Sequence, residues 1–260
     1  MDQLTGTGLE EFFRRVGADA RRLGADAERL LERLTRSDAA ARWASFQLPG
    51  DIVLTRGRRP ISHLNAVIQS ILEGRIARAT HAMMVAAPGY YVDSSLRLGV
   101  TLVPAQLFCM DGVTERVTPE PNSAGTGPIR PVWRRRLVAA FRHPDLTGAP
   151  DRQRALHRAI AAQLGQPYNR RFIFKRVREP KEDRSAFCSE LVARTFAGLG
   201  LPIVPERRFA SVLPHTLLRH LGGQGWIDVS DAYRQGLPRA FAACARPLSC
   251  PVLPPTSWRL

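Results

Sequence analysis

From residue 8 to residue 45, Leu9, Phe12, Phe13, Val16, Leu23, Leu30, Leu31 and Leu34 recur at helical spacing among Arg and Glu. The pattern predicts a long amphipathic helix or a helical hairpin, with Gly17 and Gly24 as its weak points. Such a segment can dock on a main body, pair between subunits or lie on a membrane surface. Pro49-Gly50 punctuates its end. Asp51-Ile52-Val53-Leu54-Thr55 then reads as a strand, and Ile61 to Leu72 as a helix with Leu64, Val67, Ile68, Ile71 and Leu72 apolar.

The period next drops to two. His81 alternates with Met83 and Val85, Ala87-Pro88-Gly89 breaks the run, and Tyr90-Tyr91-Val92-Asp93-Ser94 resumes it, which predicts a β-hairpin. A three-residue loop with Gly89 left-handed pairs Ala86 with Tyr90, and therefore Met83 with Asp93. His81 then lies diagonal to Asp93 on one face, whereas a two-residue turn would put them on opposite faces.

Leu98 to Val103 offers a further strand, Pro119 to Pro131 a Pro/Gly/Ser-rich loop, and Val132-Trp133 another short strand. Residues 151 to 164 form a helix with Ala155, Leu156, Ile160 and Leu164 as its stripe, stopped by Gly165 and Pro167. After the basic segment from Arg170 to Arg184, a helix from Ser185 carries Cys188, Leu191, Val192, Thr195, Phe196 and Leu199 to a stop at Gly200. Beyond about residue 235 the Pro-rich tail reads as extended or disordered. The division expected is a helical extension over 1–47, a main domain over 48–235 and a tail over 236–260.

Composition narrows the class. With 260 residues and 44% hydrophobic content, the chain can bury a core without disulfides. Its four cysteines, Cys109, Cys188, Cys244 and Cys250, form no CxxC pair, and no His/Cys cluster has zinc spacing, so free thiols in a reducing compartment are expected. The N terminus has no basic n-region or apolar h-region, and no run reaches membrane-spanning length. A soluble, cytoplasmic protein is expected; export without a cleaved signal, or peripheral membrane attachment, fits the same pattern.

The net charge is +15, almost all of it arginine, since Lys175 and Lys181 are the only lysines. Such a field favours anionic partners. The arginines are spread along the chain with no stacking aromatics or helix-turn-helix between them, so a specific nucleic-acid site is not expected, and solvated helix faces account for most of them.

The chemistry concentrates at Cys188. A thiol at a helix start feels the positive end of the helix dipole, and an adjacent imidazolium favours its thiolate further. His81 is its natural base, suited by a pKa near neutrality, and Asp93 would hold the imidazole tautomer. The alternatives are a small core cysteine, a core histidine on a sheet and a strand-end carboxylate. His63, His143, His157, His215, His220 and the other three cysteines lack a partnering motif and read as structural. With no P-loop, Gly-x-Ser-x-Gly or dinucleotide fingerprint, no cofactor is implied.

Gly165-Gln166-Pro167-Tyr168 followed by Phe187-Cys188-Ser189-Glu190-Leu191-Val192 resembles the Gly-x-Pro-Tyr and Asp-Cys-Ser-Gly-Leu-Val signature of NlpC-type papain-like cysteine hydrolases. His81-Ala82-Met83-Met84-Val85-Ala86, with Val92-Asp93-Ser94-Ser95, is similar to that family's histidine strand and the next strand bearing its third polar residue. Here the histidine hairpin precedes the cysteine helix, and the block opens with Gly50-Asp51-Ile52-Val53-Leu54, the order of the permuted, YiiX-like branch. The resemblance covers about residues 49 to 205. Phe187 replaces the signature Asp, Glu190 replaces its Gly, and Asp93 stands where relatives often carry His, Asn, Gln or Glu.

The resemblance implies an α+β, circularly permuted papain-like fold, with an antiparallel sheet packed on the helix that bears the nucleophile. It also implies a Cys188–His81–Asp93 triad, with Tyr168 near the developing oxyanion. Its activities divide between cleavage of amides in cell-wall-type peptides and the transfer or hydrolysis of fatty acyl groups by lecithin:retinol-acyltransferase-like enzymes. The expected substrate is therefore a peptide or an acyl lipid, with an anionic membrane surface as a further partner. A catalytically silent binding module is the alternative from another class.

Overall fold

The computed structural model describes residues 25–58, 60–95, 99–105, 108–111, 133–168, 186–205 and 212–244. The expectations for Leu9 to Leu23, the Pro119 to Pro131 loop, the 170–184 segment and residues 245–260 lie outside the described residues. In chain order the elements are α1 (Ala25–Thr35), α2 (Asp38–Ala44), β1 (Ile52–Gly57), α3 (Pro60–Glu73), β2 (His81–Ala87), β3 (Tyr90–Ser95), β4 (Gly99–Pro104), β5 (Phe108–Asp111) and β6 (Trp133–Arg142). They continue with α4 (Pro150–Ala161), α5 (Cys188–Gly198), α6 (Pro214–Leu221), β7 (Ile227–Asp228) and α7 (Ser230–Cys244).

The strands form one sheet in the order β4-β3-β2-β1-β6-β5, with β7 on β6. All pairings are antiparallel except β5 with β6. The architecture is α+β.

Alternation along the strands builds two cores, because successive side chains leave opposite faces. Ile52, Leu54, Met84, Ala86 and Val92 pack beneath Leu30, Leu31 and Leu34 of α1, Leu156 and Ile160 of α4, and Leu191, Val192 and Phe196 of α5. Val53, Met83, Val85, Tyr91 and Leu137 face the other way, against Trp43, Phe46 and the α7 residues Tyr233, Leu237 and Ala240. A sheet covered on both faces accounts for the continuous apolar runs in β1 and β2. The described part of the N-terminal extension is thus a pair of docked helices, with Ser37 capping the second.

Two expectations change. The chain is helical through Cys244, not extended beyond residue 235. Gly236 and Pro238 argue against helix locally, but burial of Tyr233, Leu237 and Ala240 on the sheet outweighs that propensity. The strand expected at Val132-Trp133 runs from Trp133 through Arg142, because the sheet supplies partners for a segment whose three consecutive arginines hide its alternation.

A buried polar knot ties the layers together. Asp51 is fully buried and accepts from Leu48 N–H at 2.9 Å, from Arg142 Nε and Nη2 at 2.7 Å each, and from the Tyr233 hydroxyl at 2.9 Å. Arg142 Nη2 also donates to the Phe46 carbonyl at 2.9 Å, so one carboxylate joins the α2–β1 loop, β6 and α7. Removing it leaves a guanidinium without its counter-charge beside a buried hydroxyl. Asp51→Ala is expected to cost about 3–5 kcal/mol, read as a lower urea midpoint at constant slope. An unshifted midpoint would remove the knot from the account of stability.

Candidate active site

His81 opens β2 opposite Thr55 of β1, and continues the face of Met83 and Val85. The turn that brings Asp93 to it differs from the three-residue loop expected. Ala87 pairs with Tyr90 across a two-residue turn, and a bulge between Val85 and Ala87 restores the register that ends with Met84 opposite Val92. Gly89, at φ +83°, supplies the left-handed turn residue, and a side chain there would also meet Trp43. Turn and bulge together return the parity that a two-residue turn alone would lose. His81 Nε2 and Asp93 Oδ1 lie 2.5 Å apart.

β2 and β3 part beyond Met84 and Val92, and the start of α5 enters beside them. Ser94 Oγ donates to the Ala186 carbonyl at 2.6 Å, and the His81 side chain and the Ala82 amide lie close enough to the Cys188 sulfur to favour its charged form. Cys188 is the first residue of α5, after Phe187 in extended conformation. With Nε2 engaged by Asp93, Nδ1 is the ring nitrogen left for the thiol.

Glu190 has a structural role. Its buried carboxylate accepts from Phe187 N–H at 3.3 Å and from Arg194 Nη2 at 2.5 Å, capping the helix start and neutralising the charge one turn along. Ser189 Oγ anchors the same turn to the Val212 carbonyl at 2.7 Å.

Tyr168 arrives on the Gly-Gln-Pro-Tyr segment, which docks along β4. Gly165 N–H donates to the Val100 carbonyl, Val100 N–H donates to the Gln166 carbonyl, both at 2.8 Å, and Tyr168 bridges Ala186. Gly99 is required here: its φ is +68°, and the Gln166 carbonyl occupies the space a Cβ would take. The segment sets the Tyr168 ring close enough to Cys188, Asp93 and Glu190 to feel their charges.

Electrostatics tie these groups into one unit. Burial works against charge on Cys188, yet the His81 charge, its hydrogen bond and the Ala82 amide bring the thiol below its ordinary range. Burial and the Arg135 guanidinium oppose the charge of His81, but Asp93 and the Cys188 thiolate outweigh them and raise it to about 9. For Asp93, too, burial opposes ionisation, and the His81 charge and hydrogen bond overcome it and hold the carboxyl low. Burial, followed by the negative charges of Cys188 and Asp93, pushes Tyr168 up, so its hydroxyl keeps its proton. These directions favour charge on both partners, a thiolate beside an imidazolium, with a protonated phenol next to them.

Arg135 is the site residue that sequence reasoning missed. It lies on β6 opposite Gly57, and its charge acts on His81, Asp93 and Tyr168. Nothing in the Arg134-Arg135-Arg136 run distinguishes it; only the β6–β1 register does. Of the remaining cysteines, Cys109 lies in β5, Cys244 ends α7 and Cys250 is outside the described residues.

Comparison with protein-family models, with curated proteins and with solved structures returned no match in any of the three.

Proposed function

We propose that the chain is a cysteine hydrolase of permuted papain-like, YiiX-like type that opens an amide bond through a thioacyl-enzyme on Cys188. The observation that carries this reading is the placement of His81, bonded to Asp93 at 2.5 Å on one side and close enough to the Cys188 sulfur on the other for each charge to stabilise its neighbour. A merely packed cysteine has no need of that relay.

In the proposed reaction the Cys188 thiolate attacks the acyl carbon, and its electron pair forms the C–S bond as the carbonyl oxygen takes the negative charge. The Cys188 backbone N–H at the helix start and the Tyr168 hydroxyl are the donors suited to that oxyanion. Collapse breaks the C–N bond, and the His81 imidazolium gives its proton to the departing amine. His81, now neutral, takes a proton from water as the water oxygen attacks the thioester. Departure of thiolate and release of the acid restore the starting pair. Asp93 holds the ring and its charge throughout.

Hydrolysis or transfer of a fatty acyl ester uses the same steps. That second reading draws on the apolar side chains Leu64, Val67 and Ile71, exposed on the helix packed against β1. Incubating the chain with a lysate, quenching in acid and weighing Cys188 peptides by mass spectrometry separates the two. The expected adduct is a peptidyl or amino-acyl thioester, absent from Cys188→Ala. A fatty acyl mass would overturn the amide assignment, and no adduct under any condition would overturn the enzyme.

A further inference from the structure

We propose that the exposed face of α3 is a docking surface for an anionic lipid bilayer. The helix is inverted relative to an ordinary core helix, with polar residues on its inner side. Asn65 Nδ2 donates to the Thr80 carbonyl at 3.2 Å, Gln69 is buried and accepts from His215 N–H at 3.4 Å, and Glu73 accepts from the Thr216 hydroxyl. The apolar side points outward. Leu64 and Val67 are each 54% exposed, Ile71 75% and Ile76, just beyond the helix, 81%. Spacing of three and four places the first three in one stripe. Among the described residues, five large hydrophobics are conspicuously exposed, and four of them lie on this ridge. Clustering of that kind marks a contact surface, which scattered apolar residues do not.

Charge decides what the ridge contacts. Arg75, Arg78 and Arg219 are exposed, and all three charges converge on His215 at the C-terminal end of α3. Glu73 is the only acidic residue from 60 to 80, and its carboxylate is turned to Thr216. An apolar ridge beside guanidinium groups, with the one acid of residues 60–80 turned away to Thr216, matches the layering of a bilayer, where acyl chains lie beneath anionic head groups. A second copy of a chain with net charge +15 would bring like charge to like. Among the described residues no helix is long and apolar enough to cross a membrane, so the contact is one of lying on the surface. Asn65 holds the carbonyl of the residue preceding His81, so the ridge is carried on a helix tied to the strand that bears that histidine.

This inference stands apart from the chemistry assigned to Cys188, and the full chain carrying Cys188→Ala is the protein to use. Co-sedimentation compares vesicles of phosphatidylcholine with vesicles of phosphatidylcholine and phosphatidylglycerol. Binding to the mixed vesicles alone is expected. Val67→Glu with Ile71→Glu is expected to weaken it by about tenfold or more, and Arg75→Gln with Arg78→Gln by about fivefold per arginine, with a shallower salt dependence. Arg154→Gln with Arg234→Gln, exposed on α4 and α7, serves as the charge control and leaves binding unchanged. All variants should melt with the parent, since the altered side chains are exposed. Failure to bind the mixed vesicles, equal loss in the charge control, or binding indifferent to the two glutamates would overturn the proposal. So would a dimer that the two glutamates dissolve, because the ridge would then cover a second copy.

Discussion

Cys188→Ala is expected to abolish turnover, with a fall of at least about 10³-fold, and His81→Ala to approach the same floor. Combining them should cost little more than either alone, because the thiolate and the imidazolium are one nucleophilic unit and the second removal has nothing left to break. Cys188→Ser is the sharper control. The hydroxyl nearly preserves shape, yet its proton is held far too tightly for an imidazole to maintain the ion pair, so activity should not return. The same logic applies to alkylation: Cys188 should react with iodoacetamide at lower pH than an ordinary thiol, and His81→Ala should move that reactivity upward. Melting temperatures close to the parent's would show that loss of function is not loss of fold. Additive losses in the double variant, or a serine variant that turns over, would sink the assignment.

The parts of this site that the sequence displays are those encoded locally. His81 and Asp93 sit on adjacent strands of one hairpin, so their shared face follows from parity and a turn. Even there the structure reaches the register by a different route, a shorter turn offset by a bulge near Ala86. Cys188 is legible because a helix start can be read from its neighbours. Arg135 is not legible, because its position opposite Gly57 depends on pairing between strands separated by more than seventy residues. The same is true of the parallel partner strand β5 and of α7, where Pro238 and Gly236 suggest a break and tertiary burial overrides it. Asp51 likewise reads as a strand-start acid until Arg142 and Tyr233 arrive from distant segments.

Asp93 and Arg135 push His81 in opposite directions, which makes the pH profile the second decisive measurement. The active form requires the thiolate together with the imidazolium, so kcat/KM should rise as Cys188 ionises and fall as His81 loses its proton near pH 9. A neighbouring anion stabilises imidazolium. Asp93→Asn removes it, lowers the His81 pKa and should draw the alkaline limb to lower pH, with a loss on the order of 10²-fold at the optimum. A neighbouring cation destabilises imidazolium. Arg135→Gln therefore raises the His81 pKa and should carry the limb to higher pH. Arg135 also helps to hold Asp93 ionised, but the His81 charge is the larger influence on that carboxyl, so the direct effect on the ring governs the sign. General damage to packing would lower the whole profile without moving its limbs in opposite senses. Two variants that shift the limb the same way, or leave it in place, would remove His81 from the proton relay.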